Sequence, residues 1–213
     1  MARKVVDGPI RNKEKTKQKL LNAVGKILAT KGYSELKVSK IATVAGLDKK
    51  LIYSYFGSTD KLIDEYIKSQ DFWANVDDQE IMTSGFSDGG QEITTNMILQ
   101  QYETLAKNKE YQKVILWGIS ETRPSLRKLA DDREAVGNPL LDEVIDPLFK
   151  EKSKEYRAIL AMLVAGAYYL NLHFTVNGST FCGLDFNKEE DAKILKDAIA
   201  TIIDDQYKKL DKK

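Results

Sequence analysis

Apolar residues recur at helical spacing along almost the whole of this chain, with lysines on the opposite faces. Leu20, Val24, Ile27 and Leu28 share one side of a helix expected from about Asn12. Lys31–Gly32 ends it, a basic last residue followed by a glycine cap. Gly25, inside that helix, costs about 1 kcal/mol relative to Ala, so another element is expected to pack closely there. A short helix over about Val38–Ala45 turns Ile41, Ala42 and Ala45 inward, and Gly46 can take the left-handed conformation that stops it. Asp48 offers an N-cap carboxylate to a third helix, about Lys49–Phe56. There Ile52 and Phe56 share one face, while Lys49, Lys50, Tyr53 and Ser54 point elsewhere. Ser58 or Thr59 can cap a fourth helix over about Thr59–Ala74, with Leu62, Ile63, Tyr66 and Ile67 inward.

A glycine-containing stretch, residues 76–90, reads as a loop. Beyond it the pattern predicts helices over about Gln91–Lys107 and Glu110–Glu121, then an irregular region over about Pro124–Lys150, around Gly137–Asn138–Pro139 and Asp146–Pro147. The segment 155–176 is apolar nearly all round and is expected to be buried on most sides. After a loop at 177–187, an amphipathic helix over about Lys188–Leu210 presents Ile194, Leu195, Ala198, Ile202 and Ile203. No repeat or convincing strand is visible, so the fold class is all-α.

Composition narrows the function. The 213 residues are 42% hydrophobic and 31% charged, which suits a folded globular protein. No consecutive apolar run reaches the roughly 18 residues that would cross a bilayer, and the N-terminal stretch lacks the apolar centre of a signal peptide. Neither export nor a membrane partner is expected, and the cytoplasm is the expected compartment. The single Cys182 excludes an internal disulfide and fits a reducing compartment; a redox role is the alternative to an incidental cysteine. With one His and one Cys no metal or other cofactor is expected. The lone His, the lack of a nucleophile–base arrangement and the lack of a phosphate-cradling loop also argue against an enzyme. Charge is unevenly spread: residues 1–60 hold 13 Lys+Arg against 5 Asp+Glu, the remainder 20 against 27. That asymmetry favours a polyanion-binding head on an acidic body, although an acidic partner protein or a membrane surface would also fit the charge. Residues 1–12, broken by Gly8–Pro9, read as a flexible basic arm.

Two helices joined by a tight glycine turn, the second bearing exposed polar groups, form a helix-turn-helix candidate. Such a second helix fits the major groove of double-stranded DNA and its first residues reach base edges. Lysines suit phosphate or guanine, and tyrosine hydroxyls suit phosphate oxygens. Spacing alone equally fits two ordinary core helices with a solvated lysine face.

Register and detail go further. The stretch "TKQKLLNAVGKILATKGYSELKVSKIATVAGLDKKLIYSYFGSTDKLI", from Thr16, resembles the N-terminal domain of the tetracycline-repressor (TetR) family of bacterial transcriptional regulators. Lys-Gly-Tyr, Ile-Ala-x-x-Ala-Gly and Leu-Ile-Tyr-x-Tyr-Phe stand in that family's order. The resemblance implies a three-helix DNA-binding domain over 1–58 and a helical effector-binding and dimerisation domain over 59–213. It places the recognition helix on Lys49, Lys50, Leu51, Tyr53, Ser54 and Tyr55, and phosphate contacts on Lys37, Val38, Ser39 and Thr59. Four departures bear on specificity. Lys50 replaces a usual small residue, Leu51 a Thr or Ala, Thr59 a frequent phosphate-binding Lys, and no Thr caps the helix near Lys37 and Val38.

The same resemblance implies a homodimer through helices at about 155–177 and 188–210, the alternative being a buried central helix in a monomer. Small residues at Ala158, Ala161, Ala165, Gly166 and Ala167 permit close helix approach. It also implies a cavity for a small-molecule effector, with Met97, Gln101, Trp117, Tyr169, His173 and Phe174 as candidate walls. Tyr168 and Tyr169 point about 100° apart on a helix, so at most one faces a given cavity. Trp117 and His173 fit a packed core or interface as readily as a pocket. The expected function is a ligand-responsive repressor of a palindromic DNA operator. The alternative is a DNA-binding regulator controlled by a protein partner, with no small-molecule pocket.

Overall fold

A computed structural model describes residues 9–70, 86–176, 178 and 180–210, with side chains from residue 12 onward. The chain divides into two compact units, Met1–Asp71 with Lys113–Leu129, and Phe72–Gln112 with Ala130–Lys213. Among the described residues the β-type pairing is an isolated antiparallel bridge between Phe181 and Leu184; the rest of the regular structure is helical.

The first unit is built on α1 (Pro9–Lys31), α2 (Val38–Ala45), α3 (Lys50–Phe56) and α4 (Thr59–Ser69). Leu20, Val24, Ile27 and Leu28 of α1 are buried with Ile41 and Ala42, Ile52 and Phe56, and Leu62, Ile63, Tyr66 and Ile67. The period-3.6 spacing that predicts each helix thus also assembles the core. Gly25 is buried in α1. Helix α1 starts at Pro9, earlier than the expected Asn12, because proline has a suitable φ and needs no N–H partner in a first turn. The remainder of the expected arm lies outside the described residues, as do the end of the expected 59–74 helix and most of the 76–90 loop.

Helix α4 packs into the first unit with α1 and α3, so by packing that unit extends past the boundary expected at 58/59. It also takes in part of two later helices, α5 (Gln91–Lys107) being followed by α6 (Lys109–Ser120) and α7 (Pro124–Pro139). Val114 and Trp117 of α6 and Leu126 and Leu129 of α7 join the same core. Arg123, between those helices, donates from Nε and Nη2 to Asp64 at 2.9 and 2.6 Å and reaches the carbonyl of Asp60 at 3.1 Å.

The second unit combines α5, the C-terminal part of α7, a π-helical turn (Leu140–Ile145), α8 (Asp146–Phe149), α9 (Ser153–Val176) and α10 (Glu189–Lys208). Ile98, Leu140, Ile145, Phe149, Tyr156, Leu160, Ile199, Ile203 and Tyr207 form its core. Phe149 stacks on Tyr156 at 4.1 Å, with Tyr207 edge-on to both at 5.1 and 5.8 Å. Asp88 caps the start of α5 by accepting from the N–H groups of Gly90 and Glu92.

Two expectations need correction here. The stretch 124–150 is helical rather than irregular. Pro139 lies inside the helix and has no N–H for the preceding turn, and the chain continues as a π-helical turn. Leu140 and Ile145 are both buried at five-residue spacing, which a search for the α period passes over. The apolar segment 155–176 is not buried on most sides within one chain. Met162 is 67% exposed and Tyr169 54%, and Ile194 on α10 is 52% exposed. The helical stretch ending at Val176 is also apolar and long enough, by length and composition, to cross a bilayer. Asn171 and His173 interrupt it, so a count of consecutive apolar residues misses it. Asn171 is nonetheless buried, donating from Nδ2 to the carbonyls of Tyr102 and Ala167 at 3.2 and 3.0 Å.

Candidate functional site

The turn between α2 and α3 sets the geometry of the polar surface. Gly46 adopts φ 65, ψ 37, and the N–H of Leu47 bonds to the carbonyl of Ala42 at 3.0 Å, closing α2 with a left-handed glycine cap. The chain then reverses within Leu47–Lys49, and the Asp48 carboxylate accepts the N–H of Lys50 at 2.8 Å, as expected of a residue heading α3. Nothing lies within 4 Å of a Cβ built on Gly46. Gly46→Ala therefore carries backbone strain alone, an expected loss of about 1 kcal/mol, with less for Gly46→Asn, which visits this region more readily. Shifts in the denaturant midpoint of the two variants check this.

Helix α3 buries Ile52 and Phe56 and leaves its other side open. Lys49, Lys50, Tyr53 and Ser54 are exposed, Tyr53 by 51%. Leu51, Tyr55 and Thr59 are half-buried, and Lys13 sits 5.7 Å from the centre of the Tyr55 ring. Of the ten residues expected to meet DNA, these three and the half-buried Val38 are thus partly occupied by packing. Lys37 and Ser39 are exposed at the start of α2. Lys37 is its N-cap residue and makes no side-chain cap bond, in keeping with the missing threonine. The first N–H groups of α2 are therefore not taken by a side-chain cap. Ser58 rather than Thr59 caps α4, its Oγ accepting from the N–H of Lys61 at 3.1 Å. Glu35 is paired with Lys40, whose ammonium holds its carboxyl below the usual range.

Residues 20–66 match the family model of bacterial regulatory proteins of the tetR family, over the span that contains α2, the glycine turn and α3. That span therefore carries a DNA-binding domain of the tetR type. No curated protein matches the chain. Among solved structures it resembles a Clostridium perfringens protein assigned as a fatty acid metabolism regulator, at 16% identity and a TM-score of 0.59, over 87% of this chain and 97% of that one. It also resembles NalD, the secondary repressor of the MexAB-OprM multidrug efflux pump in Pseudomonas aeruginosa, at 19% identity and a TM-score of 0.54, over 88% and 95% of the two chains. At such identities the likeness is one of fold.

The second unit contains a cavity of about 570 Å³. Thr94, Met97, Ile98 and Gln101 of α5 line it, with Ala130, Arg133 and Gly137 of α7, Leu140 and Leu141 of the π turn, and Leu160, Val164 and Tyr168 of α9. Met97 and Gln101, expected as walls of an effector cavity, are part of this lining. The others among the expected wall residues are elsewhere. Trp117 belongs to the first unit's core, stacked on Tyr33 at 5.2 Å and bonded through Nε1 to Glu121 at 3.0 Å. Of the tyrosine pair it is Tyr168 that lines the cavity. Tyr169 joins His173 and Phe181 in an aromatic group, at 5.8 and 5.6 Å, and Phe174 packs on His173 and Phe186 at 5.1 Å each. Helical geometry explains the correction, because a neighbour one position along points about 100° away.

Arg133 and Arg157 also line the cavity, and sequence reasoning missed both. Arg133 lies in the stretch read as irregular, where no helical face was assigned. Arg157 donates to Asp146 at 3.0 and 2.7 Å and to Asp142 at 2.5 Å, and its hydrogen bonds hold the Asp146 carboxyl below its ordinary range despite partial desolvation.

Proposed function

We propose that this regulator is a cytoplasmic repressor that binds a palindromic operator as a homodimer and is released by a small-molecule effector held in the cavity of the second unit. The observation that carries the reading is the face of α3. Lys49, Lys50, Tyr53 and Ser54 are exposed together, on a helix whose other side is anchored by Ile52 and Phe56. A solvated lysine face alone would not need the tyrosine, whose apolar ring is costly to leave in water and whose hydroxyl suits a phosphate oxygen.

Two features support the finer parts. Apolar side chains are exposed on both α9 and α10, namely Met162, Tyr169, Ile194 and Ile202. A second copy of the chain would cover them, and a dyad would present two recognition helices to successive major grooves. The cavity favours a small molecule over control by a protein partner alone. Helix α7 places Leu126 and Leu129 in the core that holds α3, while Arg133 and Gly137 further along it line the cavity. An effector that binds better to one position of α7 would shift the protein between DNA-competent and DNA-incompetent states by that difference in affinity.

Selection of bound sequences from a random pool of duplex DNA tests the proposal. The expected product is a palindrome whose half-sites lie about one helical turn, or a multiple of it, apart. Enrichment of no sequence, or of a single unrepeated half-site, would count against the dimeric repressor.

A further inference from the structure

Arg133 stands on the cavity wall and, among the described residues, has no ion-pair partner. Its Nε and Nη2 are buried and have no hydrogen-bond partner. The guanidinium carbon lies 5.1 Å from the centre of the Tyr111 ring, a contact that uses the flat face of the group and leaves its in-plane N–H directions unanswered. The other arginine of the lining, Arg157, is already held by Asp142 and Asp146. The lining's carboxylate, Glu134, is exposed and forms no ion pair with Arg133, so Arg133 is the arginine of the lining without an ion-pair partner among the described residues. Around it the wall is largely hydrocarbon, from Met97, Ile98, Leu140, Leu160 and Val164. A guanidinium in such a place is costly unless its N–H groups are met. A carboxylate meets them best, because the planar fork matches two oxygens at once.

We propose that the cavity takes an organic monoanion, a carboxylate or similar head on an apolar body, with the head paired to Arg133 and the body lying along α5 and α9. This rests on the reading of the cavity as the effector site and narrows the effector to a chemical class. Because Nε and Nη2 are covered, pairing turns the guanidinium away from the Tyr111 ring, a motion confined to one side chain. The volume, about 570 Å³, lies in the range of small-molecule sites.

Calorimetric titration of the whole 213-residue chain with decanoate and decyltrimethylammonium below their micellar concentrations, and with decan-1-ol below its solubility limit, separates head charge from tail. Decanoate is expected to bind at least about tenfold more tightly than decan-1-ol, as a charge-assisted fork implies, and the ammonium least well. Arg133→Met should bring decanoate down to the level of decan-1-ol while leaving decan-1-ol binding as it was, which also shows that the cavity survives the change. Arg133→Lys, which keeps the charge without the fork, should retain part of the preference and serves if the methionine variant does not fold. Equal binding of decanoate and decan-1-ol by the wild type overturns the proposal, as does a preference that persists undiminished in Arg133→Met. Operator affinity is a separate readout. Arg133-dependent decanoate binding that leaves operator affinity unchanged would keep the ligand class and remove the effector role. Release of the operator by uncharged ligands alone, with no decanoate binding, would do the reverse.

Discussion

Alanine at both Lys49 and Tyr53 is expected to lower affinity for the selected operator about a thousandfold while leaving the fold intact. The magnitude follows from symmetry. Each contact of this kind is worth roughly 1–3 kcal/mol, and two residues in each of two protomers remove four contacts, so even the low end reaches about 4 kcal/mol, or close to three decades. The fold is expected to survive because both side chains are exposed, whereas Ile52 and Phe56 hold the helix. Fluorescence anisotropy at several salt concentrations separates the two roles. A lysine that only neutralises phosphate weakens all sequences alike and lowers the salt slope by about one counterion per site, whereas a base contact relaxes preference at one position. Unchanged binding by the double variant, with its melting temperature preserved, would mean that α3 does not enter the groove.

The first unit was the more legible in sequence for a physical reason. Helices α2, α3 and α4 are short, each of α1 to α4 is bounded by a glycine or a cap, and each buries one stripe, so Ile41, Ile52, Phe56 and Leu62 appear at helical spacing before any coordinates are known. The glycine at position 46 and the carboxylate at 48 read directly as a left-handed stop and a helix start. The second unit breaks those conditions. Pro139 and the π-helical turn shift the register, so Leu140 and Ile145 fall out of the α period although both are buried. Arg133 was hidden with them, since a guanidinium on a stretch with no assigned face gives no hint that it meets a cavity. That Tyr168 rather than Tyr169 lines the cavity is illegible for a narrower reason: a period says that two neighbours face differently, not which of them faces the void. The apolar character of 155–176 was plain, but hydrophobicity does not state whether the covering surface belongs to the same chain.

That last ambiguity is what a second substitution resolves. Met162→Glu on α9 is expected to convert the proposed dimer into a folded monomer. Met162 is 67% exposed within one chain and is not part of the cavity lining, so a glutamate there leaves the protomer's core and its cavity undisturbed. In a symmetric interface the substitution appears twice and buries like charges near one another without partners, which costs several kcal/mol. Sedimentation or light scattering at micromolar concentration should find the wild type at twice the mass of the variant, with similar helical content by circular dichroism. Operator binding should weaken as well. Once dimerised, the second half-site contact is made at an effective concentration set by the tether, and its loss costs about two to four decades without removing any protein–DNA contact in the first half-site. The two readouts therefore discriminate. If the variant stays dimeric, α9 is not the interface, and the exposed faces of Tyr169 and Ile194 are covered by something other than a second copy. If it becomes monomeric and still binds the full operator as well as the wild type, a single recognition helix suffices and the palindrome has no role in affinity.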